Sequence, residues 1–295
     1  MRVRALCLAL TLVLSAAVAD AAPRVEKLAD NLYAYVSDND HSSNSTFLVG
    51  QHSILVVDTG LNDVEGRKLL AEIRKISAAP IEFIVNTHYH PDHQGGNGVV
   101  GPNAIVISSP FTRERTERLI QQQQSDRTSK GATAPAGFTL ATETVSQKLT
   151  IYMDRDAVEI VAAGPAHTMG DLYVYFPKQK TIATGDLYMT NSCPAMDQGD
   201  AANWIHVLDS MASLPVEHFV PGHFAVGTRP TFLQFRDYLA DLHSQVEKLY
   251  KAGESEETVR AKIDMGKYEN FRQFPQFHAT FADNAATIYR QLKQH

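Results

Sequence analysis

Cysteine is nearly absent from this chain, with two in 295 residues, Cys7 and Cys193. Cys7 lies in a leading apolar stretch, so once that stretch is removed a single thiol remains and no internal disulfide can form. Basic residues are outnumbered, 27 Lys and Arg against 33 Asp and Glu, for a net charge of −6. No basic stripe interleaved with aromatics occurs, which argues against a nucleic-acid partner. There is no phosphate-cradling glycine loop and no G-x-S-x-G elbow, so neither nucleotide binding nor a serine nucleophile of that type is indicated. Long apolar runs are missing beyond residue 21. The exception is the N-terminus, where Arg2 and Arg4 precede an apolar core over 5–18 that is short for a membrane span. Ala17-Val18-Ala19 or Ala19-Asp20-Ala21 then offers a small-residue cleavage site. A signal peptide over 1–21 is therefore expected, with a periplasmic or secreted protein that keeps no stable membrane insertion. Its removal takes away two arginines and one aspartate, moving the charge from −6 to −7.

What remains, 22–295, is long enough for a substantial core at 44% hydrophobic residues. It carries no short-period repeat and no linker, so one domain is expected, with a C-terminal helical extension from about 229. Short β-branched or alternating runs predict strands at 32–36, 45–49, 54–57, 81–85, 104–107, 158–161, 172–176 and 181–183. Helical spacing predicts helices at 63–76, 110–124, 232–251, 255–263 and 280–292. Another starts at Asp200, with Trp204, Leu208 and Met211 forming a core-facing stripe. Asn62 or Asp63, and Ser255, are suited to cap their helices. The polar connection 37–44 reads as a loop, either a flap over a site or an inert surface turn, with His41 exposed. The stretch 121–136 loses periodicity and reads as a mobile insertion, either covering a site or hanging in solvent. Cys193 is expected as a small buried filler. Strands and helices in two successive halves predict an α/β protein with two mixed sheets face to face and helices outside.

The densest chemistry follows the strand at 81–85: Thr87-His88-Tyr89-His90-Pro91-Asp92-His93, then Gly95, Gly96 and Gly98. Imidazole nitrogen mixed with carboxylate oxygen suits Zn²⁺ and related divalent ions. A spacing of two puts His88 and His90 on one side of an extended segment. Pro91 blocks a helix through the middle, and a turn there directs Asp92 and His93 to a second point. The glycines let the backbone turn tightly and lie close to whatever the side chains hold.

H-x-H-x-D-H followed by Gly-Gly resembles the signature of the metallo-β-lactamase superfamily. So do, in order, Val56-Val57-Asp58-Thr59-Gly60, His167-Thr168-Met169-Gly170-Asp171, Thr184-Gly185-Asp186 and Pro221-Gly222-His223. The resemblance spans about 30–225 and implies a four-layer αββα sandwich with the site at one edge of the paired sheets. Carried across position by position, it implies that His88, His90 and His167 bind one metal. Asp92, His93 and His223 bind a second, and Asp186 bridges the two. Asp171 is either a further site residue or a brace for its loop. Asp58 is either an acceptor that orients a ligand histidine or the cap of a turn.

This ligand set implies two Zn²⁺ per chain, with iron or manganese as alternatives, and a metal-bridging hydroxide that attacks an amide- or ester-type bond. Asp92 doubles as the catalytic residue that orients the attacking hydroxide. The β-lactamase subgroup with cysteine at the bridging position carries a lysine three residues on, whereas this chain has Asp186 and Met189. The full set with Asp186 is more similar to the hydroxyacylglutathione-hydrolase and lactonase type of site. Export disfavours a glutathione thioester and leaves β-lactams, lactones and other esters as small-molecule substrates. The alternative from another class is a persulfide-dioxygenase-like oxidoreductase with a single iron.

Overall fold

The computed structural model describes residues 22–130, 137–196 and 198–294. The expected signal peptide at 1–21 lies outside the described residues. The first sheet has seven strands: β1 (Arg24–Lys27), β2 (Leu32–Val36), β3 (Ser45–Val49), β4 (Ile54–Val57), β5 (Ile81–Val85), β6 (Ile105–Ser108) and β7 (Glu143–Thr144), in that spatial order. Strands β1 to β4 pair antiparallel, and β4 to β7 pair parallel. The second sheet holds β8 (Lys148–Met153), β9 (Asp156–Ala162), β10 (Leu172–Phe176), β11 (Thr181–Gly185), β12 (His218–Pro221) and β13 (Gly227–Thr228). Its pairs are antiparallel except β11 with β12.

Helices α1 (Asp63–Ile76), α2 (Pro91–Gln94), α3 (Asn97–Val100) and α4 (Pro110–Lys130) belong to the first half. Helices α5 (Ala201–Ser213), α6 (Arg229–Lys251), α7 (Glu256–Lys262) and α8 (Phe281–Leu292) belong to the second.

Period-two alternation sorts the side chains into layers. From β4, Leu55 and Val57 enter the core between the sheets, where they meet Val158, Ile160, Val174 and Phe176. Ile54 and Val56 point the other way, onto Leu69 and Ile73 of α1. On the far side, Tyr173, Tyr175, Ile182 and Phe219 pack against Trp204, Leu208, Phe235 and Leu239. The result is the four-layer αββα sandwich of two mixed sheets. Truncating Leu55, fully buried between the sheets, to Ala costs about 2–5 kcal/mol.

The caps follow the sequence. Asn62 accepts from Val64 N and Glu65 N, Asp200 from Asn203 N, and Ser255 from Thr258 N. Among the described residues, no helix is long and apolar enough to cross a membrane.

Two local expectations are corrected. Helix α4 continues to Lys130, past the expected end at 124. Gln121 to Gln124, with Arg127 and Lys130 further on, are good helix formers without an apolar stripe, so lost periodicity did not mean lost helix. The rest of the expected insertion, 131–136, lies outside the described residues. As expected, no helix runs through the middle of the His/Asp motif: α2 starts at Pro91, since the first helical position needs no N–H. Gly95 and Gly96 have φ of −66° and −94°, values open to any residue. Their role is close approach, because a Cβ would lie 1.9 Å from Leu61 O and 2.2 Å from Thr59 O.

Candidate metal centre

The site forms where strands of both sheets end. His88 and His90 follow β5, Asp92 and His93 stand in α2, and His167 lies in the β9–β10 connection. Asp186 follows β11 and His223 follows β12. These are the carboxyl ends of strands that include the parallel pairs of both sheets, where backbone leaves the ladder and side chains converge. A register shift between Ala183 and Gly185 in the β11–β12 pair bends the chain just before Asp186. Gly222 is required by space, since a Cβ there would lie 2.0 Å from Asp186 Oδ1.

All seven residues expected in the metal set come together, in two groups: His88, His90, His167 and Asp186, and Asp92, His93 and His223. In each group, one donor atom per residue lies within 4.8 Å of the others. In the first, His90 Nδ1 stands 2.9 Å from His88 Nε2 and 3.3 Å from His167 Nε2. In the second, Asp92 Oδ2 stands 3.1 Å from His223 Nε2 and 3.4 Å from His93 Nε2. Asp186 lies between. Its Oδ2 faces His167 at 3.5 Å and His88 at 3.9 Å, while its Oδ1 faces His93 at 3.3 Å and His223 at 3.7 Å.

These residues fit divalent cations on a structural test. His93 Nε2 and Asp186 Oδ1 are both buried and neither makes a hydrogen bond. Orphaned buried polar atoms of this kind cost free energy unless something compensates them. Three imidazole nitrogens pointing at one spot offer lone pairs to a single acceptor, the arrangement a cation takes.

The environment behind the donors fixes their orientation. Asp58 accepts from Thr87 N at 2.9 Å and from Thr87 Oγ1 at 2.7 Å, and its Oδ2 lies 2.8 Å from His93 Nδ1. Thr87 Oγ1 is also 3.1 Å from His88 Nδ1. One carboxylate thus orients a histidine in each group, His93 directly and His88 through a hydroxyl. Asp171 braces its own loop by accepting from Thr168 N at 2.8 Å and Thr168 Oγ1 at 2.6 Å. It stands in neither group, and burial raises its carboxyl above the usual range. His167 is held by the Ala195 carbonyl, 3.1 Å from its Nδ1.

Charge differs between the groups. Burial depresses His88 well below the ordinary histidine value. Burial, helped by His167, takes His90 down to about 4. Burial also works against ionisation of Asp92 and Asp186, but their histidine neighbours outweigh it. Asp92 falls to about 2, and Asp186 lies well below the carboxylate range. Burial opposes charge on His93 and His223 too, and there the carboxylates win. Asp186 leads in both cases, so both histidines are raised.

Several neighbours carried no motif. Trp204 is core, as its spacing predicts, yet its ring also meets His167 edge-on at 5.6 Å while Nε1 donates to Leu187 O. Asn44, from the 37–44 connection, donates through Nδ2 to Pro221 O at 3.0 Å and Phe224 O at 2.7 Å. Its N–H donates to Gly222 O at 2.6 Å, and Ser43 N donates to Asp92 O at 3.1 Å. The second half of that connection is therefore neither inert nor free, but tied to both loops of the second group. His41 is exposed, as expected. Cys193 is a buried filler whose thiol burial pushes up to about 12.

An αββα sandwich with converging His and Asp donors at one edge defines a class of metal-site proteins. The metallo-beta-lactamase superfamily matches residues 38–223, more than half of the chain, and the protein belongs to that superfamily. It is 26% identical over 235 residues to the 2,4-dinitroanisole O-demethylase subunit alpha of Nocardioides sp. (strain JS1661), covering 76% of this chain and 63% of that one. It is 25% identical over 167 residues to the metallo-beta-lactamase type 2 of Elizabethkingia meningoseptica, covering 55% and 61%. The solved sec-alkylsulfatase Pisa1 from Pseudomonas sp. superposes with a TM-score of 0.70 at 16% identity, over 91% of this chain and 50% of that one. The chain thus spans less than two thirds of the length of each of these three proteins.

Proposed function

We propose that the protein is an exported metal-dependent hydrolase holding two divalent cations, zinc foremost, and cleaving an amide- or ester-type bond in a small-molecule substrate. The observation that carries the two-cation reading is the Asp186 carboxylate, with one oxygen turned to each donor group. Bound divalent cations supply Lewis acidity and make water a nucleophile near neutral pH.

The chain's own residues do the rest. His88, His90 and His167 give three donors without cancelling a cation's charge, which favours polarising a substrate carbonyl on that side. Asp92 brings negative charge to the other side, while Asp186 offers one oxygen to each. Asp92 is 24% exposed, more open than Asp186 at 6%. It is the carboxylate that reaches the attacking water and orients it by accepting its O–H. Asp58 and Thr87 hold the rings in place, which keeps the donor atoms aimed without rearrangement. Membership of the superfamily and likeness to a β-lactamase support hydrolysis; the particular substrate belongs to the proposal, as does export, which rests on the basic head and apolar core of 1–21.

The test is elemental analysis of the purified protein, followed on the same sample by a chromogenic cephalosporin, a lactone and an alkyl sulfate. About two zinc per chain with turnover of one of these is the expected result. A single iron with no hydrolysis overturns it and favours the dioxygenase-like alternative. N-terminal sequencing of protein from the periplasm or medium tests export, with a start near Ala22 expected.

A further inference from the structure

The C-terminal extension returns to the site at Arg272. Arg272 N donates to Asn191 O at 2.9 Å, and Cys193 N donates to Arg272 O at 2.9 Å. This bridge fastens Arg272 to the loop that runs from Asp186 to Ala195, the residue whose carbonyl holds His167. The Arg272 guanidinium stands 4.3 Å from the ring centre of Phe224 and 5.1 Å from that of Phe274. The two rings stack at 5.5 Å with 5° between their planes. Phe224 directly follows His223, and their ring centres are 6.1 Å apart. Phe224 has a φ of 72°, a left-handed value that a bulky aromatic residue rarely adopts. Asn44 Nδ2 holds it there through the Phe224 carbonyl.

The guanidinium thus stacks on the residue that follows His223 of the second donor group, and its side chain is 51% exposed. Among the described residues its side-chain hydrogen-bond partner is Asp40, 3.4 Å away and itself 70% exposed. A guanidinium carries five donors in a planar fork matched to oxyanions, and aromatic stacking fixes its plane. Most of that fork is therefore open, and its loose carboxylate partner is readily displaced.

We infer that Arg272 is a specificity residue that receives an oxyanion of the substrate, a carboxylate or a sulfate-type group, while Phe224 and Phe274 take the apolar part beside it. The inference rests on the hydrolase reading only in calling the bound molecule a substrate. Asp40 occupies the fork in the free protein and competes with the incoming anion.

Calorimetric titration of the protein as purified, with 4-phenylbutyrate, 4-phenylbutane-1-sulfonate and 4-phenylbutan-1-ol, tests this. R272A is expected to weaken binding of the preferred anion about tenfold and the alcohol by less than about twofold. R272K, which keeps the charge but not the fork, should fall between. D40N should tighten the anion, an effect that a purely structural Arg272–Asp40 pair would not produce. Contacts of the anion with bound cations are common to wild type and R272A, so their difference isolates the arginine. The preferred anion tells carboxylate from sulfate-type recognition. Equal anion binding by wild type and R272A, proportionate loss of the alcohol, or weaker anion binding by D40N each overturns the inference. Anion selectivity lost in R272A with no turnover of any ester by wild type leaves the subsite standing and counts against the hydrolase reading. Turnover with unchanged R272A binding does the reverse.

Discussion

The two donor groups are built largely from the same side chain and are poised in opposite ways. In the first, His88 and His90 are neutral because burial, unopposed by a close enough carboxylate, disfavours their charged forms. In the second, His93 and His223 are buried as well, but Asp186 and Asp92 stand within 3.1–3.7 Å of their Nε2 atoms and raise them. The lesson is that burial alone does not set a histidine's charge; the nearest carboxylate decides the sign. A cation entering the first group meets free lone pairs. One entering the second must displace protons, and finds negative charge once it has done so.

The largest expected effect separates the groups by deletion. His88→Ala removes a fully enclosed donor from the first group and should cost on the order of 10³-fold in kcat/KM, the several kcal/mol that a catalytic cation contributes. Metal content should fall with it. His223→Ala should retain one equivalent of metal and more activity than His88→Ala. Equal loss of metal and activity in both variants would erase the distinction between the groups.

A smaller effect tests what the groups share. Asp58→Asn removes the acceptor behind His93 and, through Thr87, behind His88, so affinity at both positions should drop about 10–100-fold. Thr87→Val breaks the relay to His88 and a longer 3.5 Å contact with His93 Nδ1, while leaving the 2.8 Å His93–Asp58 contact, so the first position should weaken more. Competition with a chromophoric chelator, read as two steps, measures this. Uniform weakening in Thr87→Val would mean that the hydroxyl serves the whole loop rather than one ring.

How far the sequence reached is visible in these residues. The convergence of these seven residues was legible because each sits in a short motif just after an apolar strand. Asp58 was legible as one of two alternatives, and the geometry selects the acceptor. Thr87 opens the His/Asp motif but offers no donor chemistry of its own, and Asn44 and Arg272 carried no such signal. Asn44 meets Pro221 across 177 positions, and Arg272 meets Asp40 across 232; only the closed fold brings them together. The same holds for β7 and β13, two residues each.

Acidity should unload the groups in order. A raised histidine is protonated below its shifted value, and the proton must leave before the nitrogen can bind a cation. Affinity at the second group therefore falls as pH drops through and below neutrality. His90, lowered to about 4, stays neutral over that range, as does His88, so those two donors of the first group stay open to a cation at more acid pH. Dialysis between pH 8 and 5.5 followed by elemental analysis should show the second equivalent leaving first. Binding enthalpies measured in two buffers at pH 7 should show proton release mainly with the second equivalent. Loss of both equivalents together would break the contrast.

The smallest effect concerns the 37–44 connection, which braces only the second group. Asn44→Ala leaves the Pro221 and Phe224 carbonyls without their side-chain donor, next to a backbone already held at φ 72°. Loss of such buried partners costs about 1–3 kcal/mol, seen as a lower denaturant midpoint. Because the freed segment carries His223 and not His88, the second equivalent of metal should weaken severalfold while the first is unchanged. A lower midpoint with both equivalents intact would reduce Asn44 to a structural tie. Weakening of both would mean that the two groups, despite their opposite charge, are held by one rigid frame.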